Sequence, residues 1–126
     1  MQNYVFKQQV QGRGCYAIIG FDIIYEECSE NTIEFTYKGD PKWEGACKAG
    51  ALIFYDYFTK EKSGRINIVI HHVDWLPVDS NNLIVMYACV KAFLDSQSVE
   101  SNYLDFNKSD ECFVFAEPRK RLKVEN

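Results

Sequence analysis

Strict alternation of apolar and polar positions dominates the first third of the chain and predicts three β-strands. The segments "YVFKQQV" (4–10) and "CYAIIGFDIIYE" (15–26) both alternate, and "QGRG" lies between them. Glycines at 12 and 14 predict a tight turn there, because glycine accepts positive φ without steric cost. The segment "TIEFTYK" (32–38) predicts a third strand with one face in water.

From residue 40 onwards the hydrophobic period becomes that of a helix. Asp40 and Pro41 suit the N-cap and first helical positions, and apolar residues then recur at three- and four-residue steps to about Thr59. The β-branched run "INIVIHHVDW" (66–75) predicts a central strand.

A second amphipathic helix is predicted in "VDSNNLIVMYACVKAFLDSQ" (78–97), with Asp79 or Ser80 as its cap. The segment "ECFVFAE" (111–117) predicts a last strand. The order βββ-α-β-α-β indicates an α+β fold: a two-layer sandwich with a mostly antiparallel sheet and both helices on one face. We expect one domain over residues 1–117 and a basic C-terminal tail over 118–126.

Composition supports a single packed globule and limits its partners. The chain has 126 residues, of which 47% are hydrophobic and 15% aromatic, enough for one continuous core. Its net charge of −4 provides no overall positive field towards DNA or anionic lipid, so any RNA contact has to be local. The longest uncharged apolar run, "LIVMYACV" (83–90), is too short for a membrane span, and "MQNYVFKQQV" lacks the basic start and apolar block of a secretory signal, so we expect no export. We therefore expect a cytoplasmic protein.

Chemical signatures are sparse. The five cysteines form no C-x-x-C pair, which favours buried thiols over a zinc site or disulfides. Phosphate-binding and nucleophile-elbow motifs are absent, so we expect a non-enzymatic domain without cofactor or metal. His71 and His72, as neighbours on one strand, are expected on opposite faces. His72 shares a face with Asp74, and a small-molecule or metal site at these two residues is the weakest hypothesis that we keep.

The order of motifs is more specific than any one of them. The chain reads "QGRGCYA", an "IEF" strand, a proline-initiated helix, "VDS" at the second helix and finally "FAEPRKRLKVE". This order resembles domain IV of the elongation factor G family of translational GTPases, which includes ribosomal protection factors. The resemblance spans residues 8–125 and implies a left-handed split β-α-β crossover, against the usual right-handed preference.

In that family, domain IV reaches the decoding region of the ribosome through a tip of two loops. The resemblance therefore implies a nucleic-acid-binding site here, with Arg13 on phosphate and Trp75 as a stacking surface. Its residues would be Gly12, Arg13, Gly14, Asp74, Trp75, Leu76 and Pro77.

Two departures from the family pattern change what is expected. Leu76 stands where translocases carry a histidine, and these 126 residues contain no GTPase motif. Translocation is therefore not expected, and the first hypothesis is a stand-alone domain that binds RNA or a ribosomal partner. The alternative is a protein-interaction or homodimerisation module that uses an exposed sheet edge or an aromatic surface, such as the helix face with Tyr55 and Tyr57.

Overall fold

The computed structural model describes residues 1–10, 13–98, 104–107 and 112–115. Its secondary-structure elements follow the chain in this order: β1 (Gln2–Val10), β2 (Arg13–Glu27), β3 (Thr32–Tyr37), a 3₁₀ turn (Pro41–Trp43), α1 (Glu44–Phe58), β4 (Gly64–Asp74), α2 (Asn82–Ser96), β5 (Leu104–Asn107) and β6 (Cys112–Phe115).

Four strands form one mixed sheet in the order β1-β2-β4-β3. β2 runs antiparallel to both β1 and β4, whereas β3 runs parallel to β4. The sheet packs against the two helices, which confirms the predicted α+β class, and β4 is a central strand as its β-branched sequence predicted. None of the helices in the described ranges is long and apolar enough to cross a membrane.

The connection β3–α1–β4 differs from the expected split β-α-β unit. β3 and β4 are direct neighbours, paired from Thr32 with Arg65 to Tyr37 with Ile70, so no strand lies between them. The reason is that β2 occupies the other side of β4 and leaves only one edge for β3. The left-handed sense of the β3–α1–β4 crossover stays a prediction.

The C-terminal part also differs from the predicted single last strand. β6 covers the middle of the predicted segment 111–117, but β5 precedes it and the two pair antiparallel in a separate sheet. β5 was missed because its four residues are too few to show a period. The predicted tail 118–126 lies outside the described residues.

The core lies between the helix layer and one face of the sheet. Alternate residues of β2 and β4 enter it, and both helices contribute fully buried aromatic rings, including Phe54 and Phe93. Gly50 allows α1 to approach α2 closely, since a Cβ there would lie 2.8 Å from Cys89 Cβ. Cys15, Cys47 and Cys89 are buried and form no disulfide, as predicted.

Capping confirms one helix start and corrects the other. Asp40 caps the first helical segment, since its Oδ1 accepts from the Lys42 N–H at 2.9 Å. The cap of α2 is Asn81, whose Oδ1 accepts from the Ile84 N–H at 2.8 Å. The prediction of Asp79 or Ser80 was wrong, because the Ser80 hydroxyl donates to the Tyr16 carbonyl and the Asp79 carboxylate lies beside Gly14.

Candidate nucleic-acid interface

The two loops singled out in the sequence lie at the same end of the molecule. β2 begins where β4 ends, because the two strands are antiparallel and Ile18 pairs with Asp74. Beyond that pair the Tyr16 N–H donates to the Asp79 carbonyl at 2.9 Å. The Ser80 hydroxyl donates to the Tyr16 carbonyl at 2.5 Å. We call this end, residues 13–16 with residues 74–80, the tip.

Ser80 also shapes the loop that follows β4. Its Oγ accepts from the Leu76 N–H at 3.0 Å, and its own N–H donates to the Leu76 carbonyl at 3.0 Å. These bonds close a tight turn around Pro77 and leave Leu76, Pro77 and Val78 exposed. Ser80 is thus structural, as its place in the "VDS" motif suggested, although it acts on the loop rather than on the helix.

Gly14 of "GRG" does not lie in the turn that the sequence predicted. Arg13 pairs with Val10 and Gly14 with Gln9, so both belong to the β-ladder rather than to a turn. The connection comprises residues 11–12, so Gly12 and the side chain of Arg13 lie outside the described part of the chain. Gly14 lies against Asp79, since a Cβ there would lie 2.8 Å from Asp79 Oδ2, an atom at the end of a partly exposed side chain.

A shallow cleft of about 330 Å³ opens at the β1–β2 side of the tip. Its walls include Lys7, Gln8, Gln9, Tyr16 and Asp79. The Lys7 ammonium lies 5.4 Å from the centroid of the Tyr16 ring, a cation–π distance. Gln8 Oε1 is buried and has no hydrogen-bond partner among the described residues. The cleft therefore combines a cation, an aromatic ring, amide groups and a carboxylate.

Trp75 lies on the opposite, β3 side of the tip. Its ring packs edge-on against the buried Trp43, with centroids 5.5 Å apart and planes at 69°. The Lys42 ammonium covers it at 4.4 Å from the centroid. Trp75 is half-buried, so the indole is neither enclosed in the core nor fully open to solvent.

The structure brings together part of the predicted site. Gly14, Asp74, Trp75, Leu76 and Pro77 all lie at the tip, and the Trp75 ring contacts Trp43, which follows β3. Two cations that sequence reasoning missed, Lys7 and Lys42, each lie over a tip aromatic ring.

A sequence signal existed for only one of these two cations. A two-residue connection at 11–12 makes Lys7 the ladder partner of Tyr16. Nothing local in the sequence connects Lys42 with Trp75, since the two are far apart along the chain.

The histidine pair departs from the expected geometry. Ile70 pairs with Phe21 and His72 with Gly20, which leaves His71 as an extra residue in a β-bulge. The bulge places both histidines on the face of the sheet away from the helices, so the prediction of opposite faces was wrong. His71 Nε2 lies 2.7 Å from Asp22 Oδ2, and His72 Nδ1 lies 3.5 Å from Asp74 Oδ1.

These contacts affect the charge of one carboxylate. The hydrogen bond with His71, followed by the N-terminal amine at 3.2 Å, lowers the pKa of Asp22 below its usual value. Within the described ranges, His, Cys, Asp and Glu side chains form no group of three or more that could hold a metal ion.

Among known proteins, this chain has a structural likeness that supports the fold only. No family model and no curated protein matches this chain. A crystal structure from Thermus thermophilus is similar to it, with a TM-score of 0.57 and 19% sequence identity. The match covers 89% of this chain and 16% of the Thermus chain, so this chain spans about a sixth of that protein's length. At this identity the likeness shows the fold alone.

Proposed function

We propose that this protein is a non-enzymatic domain that binds single-stranded RNA, free or within a ribosomal partner, through its tip. The observation that carries the proposal is the hydrogen bonding of Tyr16 with Asp79 and Ser80, which joins two distant loops into one surface. Proteins recognise single-stranded RNA by stacking on bases and by cations on phosphate, and the tip provides groups of both kinds.

The cleft on the β1–β2 side suits a base rather than a phosphate. Asp79 repels a phosphate but accepts hydrogen bonds from base amino and imino groups. Tyr16 offers a ring on which a base stacks if Lys7 moves aside. Lys7 and Arg13 would then hold the flanking phosphates.

The β3 side would work in the same way. Lys42 covers the Trp75 ring in this structure. A base that stacks on Trp75 displaces the ammonium, which becomes available for the adjacent phosphate. Each half of the tip thus pairs one aromatic ring with one displaceable cation.

The motif order that resembles elongation factor G domain IV supports RNA or a ribosomal component as the target. Net charge supports a local rather than a diffuse contact, because an acidic chain is not attracted to RNA as a whole.

The test is binding of a labelled single-stranded RNA by filter retention across salt concentrations. The variant Arg13→Ala/Trp75→Ala is expected to abolish retention, whereas Lys48→Ala/Lys60→Ala, which removes charge from the helix layer, leaves it unchanged. The affinity should fall shallowly with salt, with a slope of about −2 on logarithmic axes for three phosphate contacts.

Trp75 also packs against Trp43, so folding has to be controlled. Trp75→Phe keeps an aromatic surface and should retain most of the affinity, and thermal melting of each variant reports whether the fold survives. Wild-type retention by a folded Arg13→Ala/Trp75→Ala variant would remove the proposal.

A second candidate function, self-association, is favoured by a different observation. β3 is an edge strand whose outer side faces no other described strand.

A further inference from the structure

β3 presents unpaired backbone groups at the edge of the sheet. The Lys38 N–H donates to the Ile70 carbonyl, so even-numbered residues here direct their backbone groups at β4. Backbone direction alternates along a strand, so Ile33, Phe35 and Tyr37 direct their N–H and C=O groups outwards. Among the described strands, none pairs with this side.

This edge lacks the usual protections against pairing. Proteins blunt edges with proline, bulges, inward charges or lysine within the strand. β3 has the sequence "TIEFTY", which contains no proline, lysine or inward charge and one outward charge, Glu34, and its pairing with β4 is regular throughout. Its charges, Glu34 and Lys38, are exposed, and neither has an ion-pair partner within the described part of the chain.

The sequence of β3 is suited to a second copy of itself. An antiparallel pair centred on Thr36 places Glu34 opposite the partner's Lys38, and Phe35 opposite the partner's Tyr37, each twice by symmetry. The aromatic pairs fall at hydrogen-bonded positions, as the outward backbone groups of Phe35 and Tyr37 require. The ion pairs fall at the closer, non-hydrogen-bonded positions.

Other registers are less favourable. A shift of one residue would place an outward-directed residue of one copy opposite a β4-directed residue of the other, and the ladder hydrogen bonds between the copies could not form. A pair centred on Phe35 leaves Glu34 opposite the partner's Thr36 and loses both ion pairs. A pair centred on Glu34 opposes two carboxylates. Charge complementarity therefore selects the register centred on Thr36.

We propose that this protein forms a two-fold symmetric homodimer in which β3 of each copy pairs antiparallel about Thr36, joining the two sheets into one. The dimer has both helix layers on the same face, because the two-fold axis is perpendicular to the joined sheet. The C-terminal end of β3 points towards the tip, so the tips lie at opposite ends of the dimer and stay accessible. This inference is independent of RNA binding.

A groove beside β3 supports the same contact. It lies between β3 and α1, has a volume of about 320 Å³ and is lined by the three core-facing β3 side chains and, on α1, by Glu44, Lys48, Ala51 and Leu52. Leu52 is 53% exposed, although it is a large apolar residue on α1. A partner strand beside β3 would lie under Leu52, and its Tyr37 and Phe35 would fill the groove.

The test is sedimentation equilibrium of the full chain up to about 0.5 mM, since short edge contacts give weak dimers. Wild type should dimerise, and Glu34→Lys and Lys38→Glu should each raise the dissociation constant at least about tenfold, because two attractive pairs become repulsive. The double variant Glu34→Lys/Lys38→Glu restores both pairs and should regain the wild-type constant.

Two further measurements make the outcome decisive. Leu52→Ser should weaken the dimer, whereas Leu76→Ser, an exposed leucine at the tip, should leave it unchanged. Circular dichroism reports that each variant is folded. A wild type that stays monomeric, or a dimer that is indifferent to Glu34→Lys, would overturn the proposal.

Discussion

Gly50, between the two helices, and Gly20, on the open face of the sheet, each lie very close to a neighbouring residue. The two neighbours differ in how easily they can move. A Cβ on Gly50 would lie 2.8 Å from Cys89 Cβ and 2.9 Å from the Met86 carbonyl oxygen, both on the facing helix. A Cβ on Gly20 would lie still closer, 2.2 Å from His72 Nε2, but that atom ends a half-exposed side chain. A short distance therefore does not by itself measure the cost of a substitution. The cost depends on whether the neighbouring atoms can move away.

Polar contacts follow the same division. Among the described residues, no polar or charged side chain is buried in the core. The open face has the partly exposed pairs His71–Asp22 and Arg65–Glu26, each with water on at least one side. Substitutions in the helix layer should thus cost more than those on the open face.

The largest effect is expected for Gly50→Val. The added side chain meets helix atoms that move only if α1 and α2 separate, so the free energy of unfolding should fall by about 3 kcal/mol in urea denaturation. Gly45→Ala is the matched control: it lies in the same helix with no atom within 4 Å of its Cβ, and it should stabilise the protein by about 0.5–1 kcal/mol. Equal destabilisation by both variants would contradict the close helix contact.

Gly20→Ala should have a smaller effect, a loss of about 1 kcal/mol, because the imidazole of His72 can rotate into solvent. The added variant His72→Ala should recover most of that loss, which a double-mutant cycle measures directly. Additive losses would show that the methyl group collides with something other than His72.

Asp22→Asn should give a pH-dependent effect. The folded-state pKa of Asp22 is lowered, so its ionised form stabilises the fold above the unfolded-state pKa, and this contribution is lost as pH falls through the folded-state value. Asp22→Asn should therefore be less stable than wild type at neutral pH, and the difference should shrink below about pH 4. Stability curves that stay parallel down to about pH 2 would contradict the Asp22–His71 bond.

The smallest effect is expected for Glu26→Gln. Arg65 Nη1 lies 3.4 Å from Glu26 Oε1, and both side chains are largely exposed. Such ion pairs contribute at most about 0.5 kcal/mol to the free energy of unfolding. Thermal melting at low and high salt should show almost no difference from wild type. A salt-dependent loss above about 1 kcal/mol would mean that this pair is less hydrated than its exposure indicates.

The helices, the main strands and the α+β class could be predicted because each element shows its own hydrophobic period. Boundaries were close as well: α1 ends at Phe58 where the pattern indicated about Thr59, and β3 begins and ends within one residue of its predicted segment. The candidate site was predicted less fully. The sequence indicated which loops to consider, but Lys42 reaches Trp75 only through tertiary packing.

Local sequence by itself determined where the chain alternates and where it turns helical, because each period depends on residues a few positions apart. Tertiary structure decided the rest. It made Asn81 the cap of α2 by directing Asp79 and Ser80 to Tyr16, and it inserted His71 as a bulge that places both histidines on one face. It also placed Gly14 beside the Asp79 side chain, 65 residues further along the chain. These features depend on residues far away along the chain or on strand register, and neither can be read from a short segment of sequence.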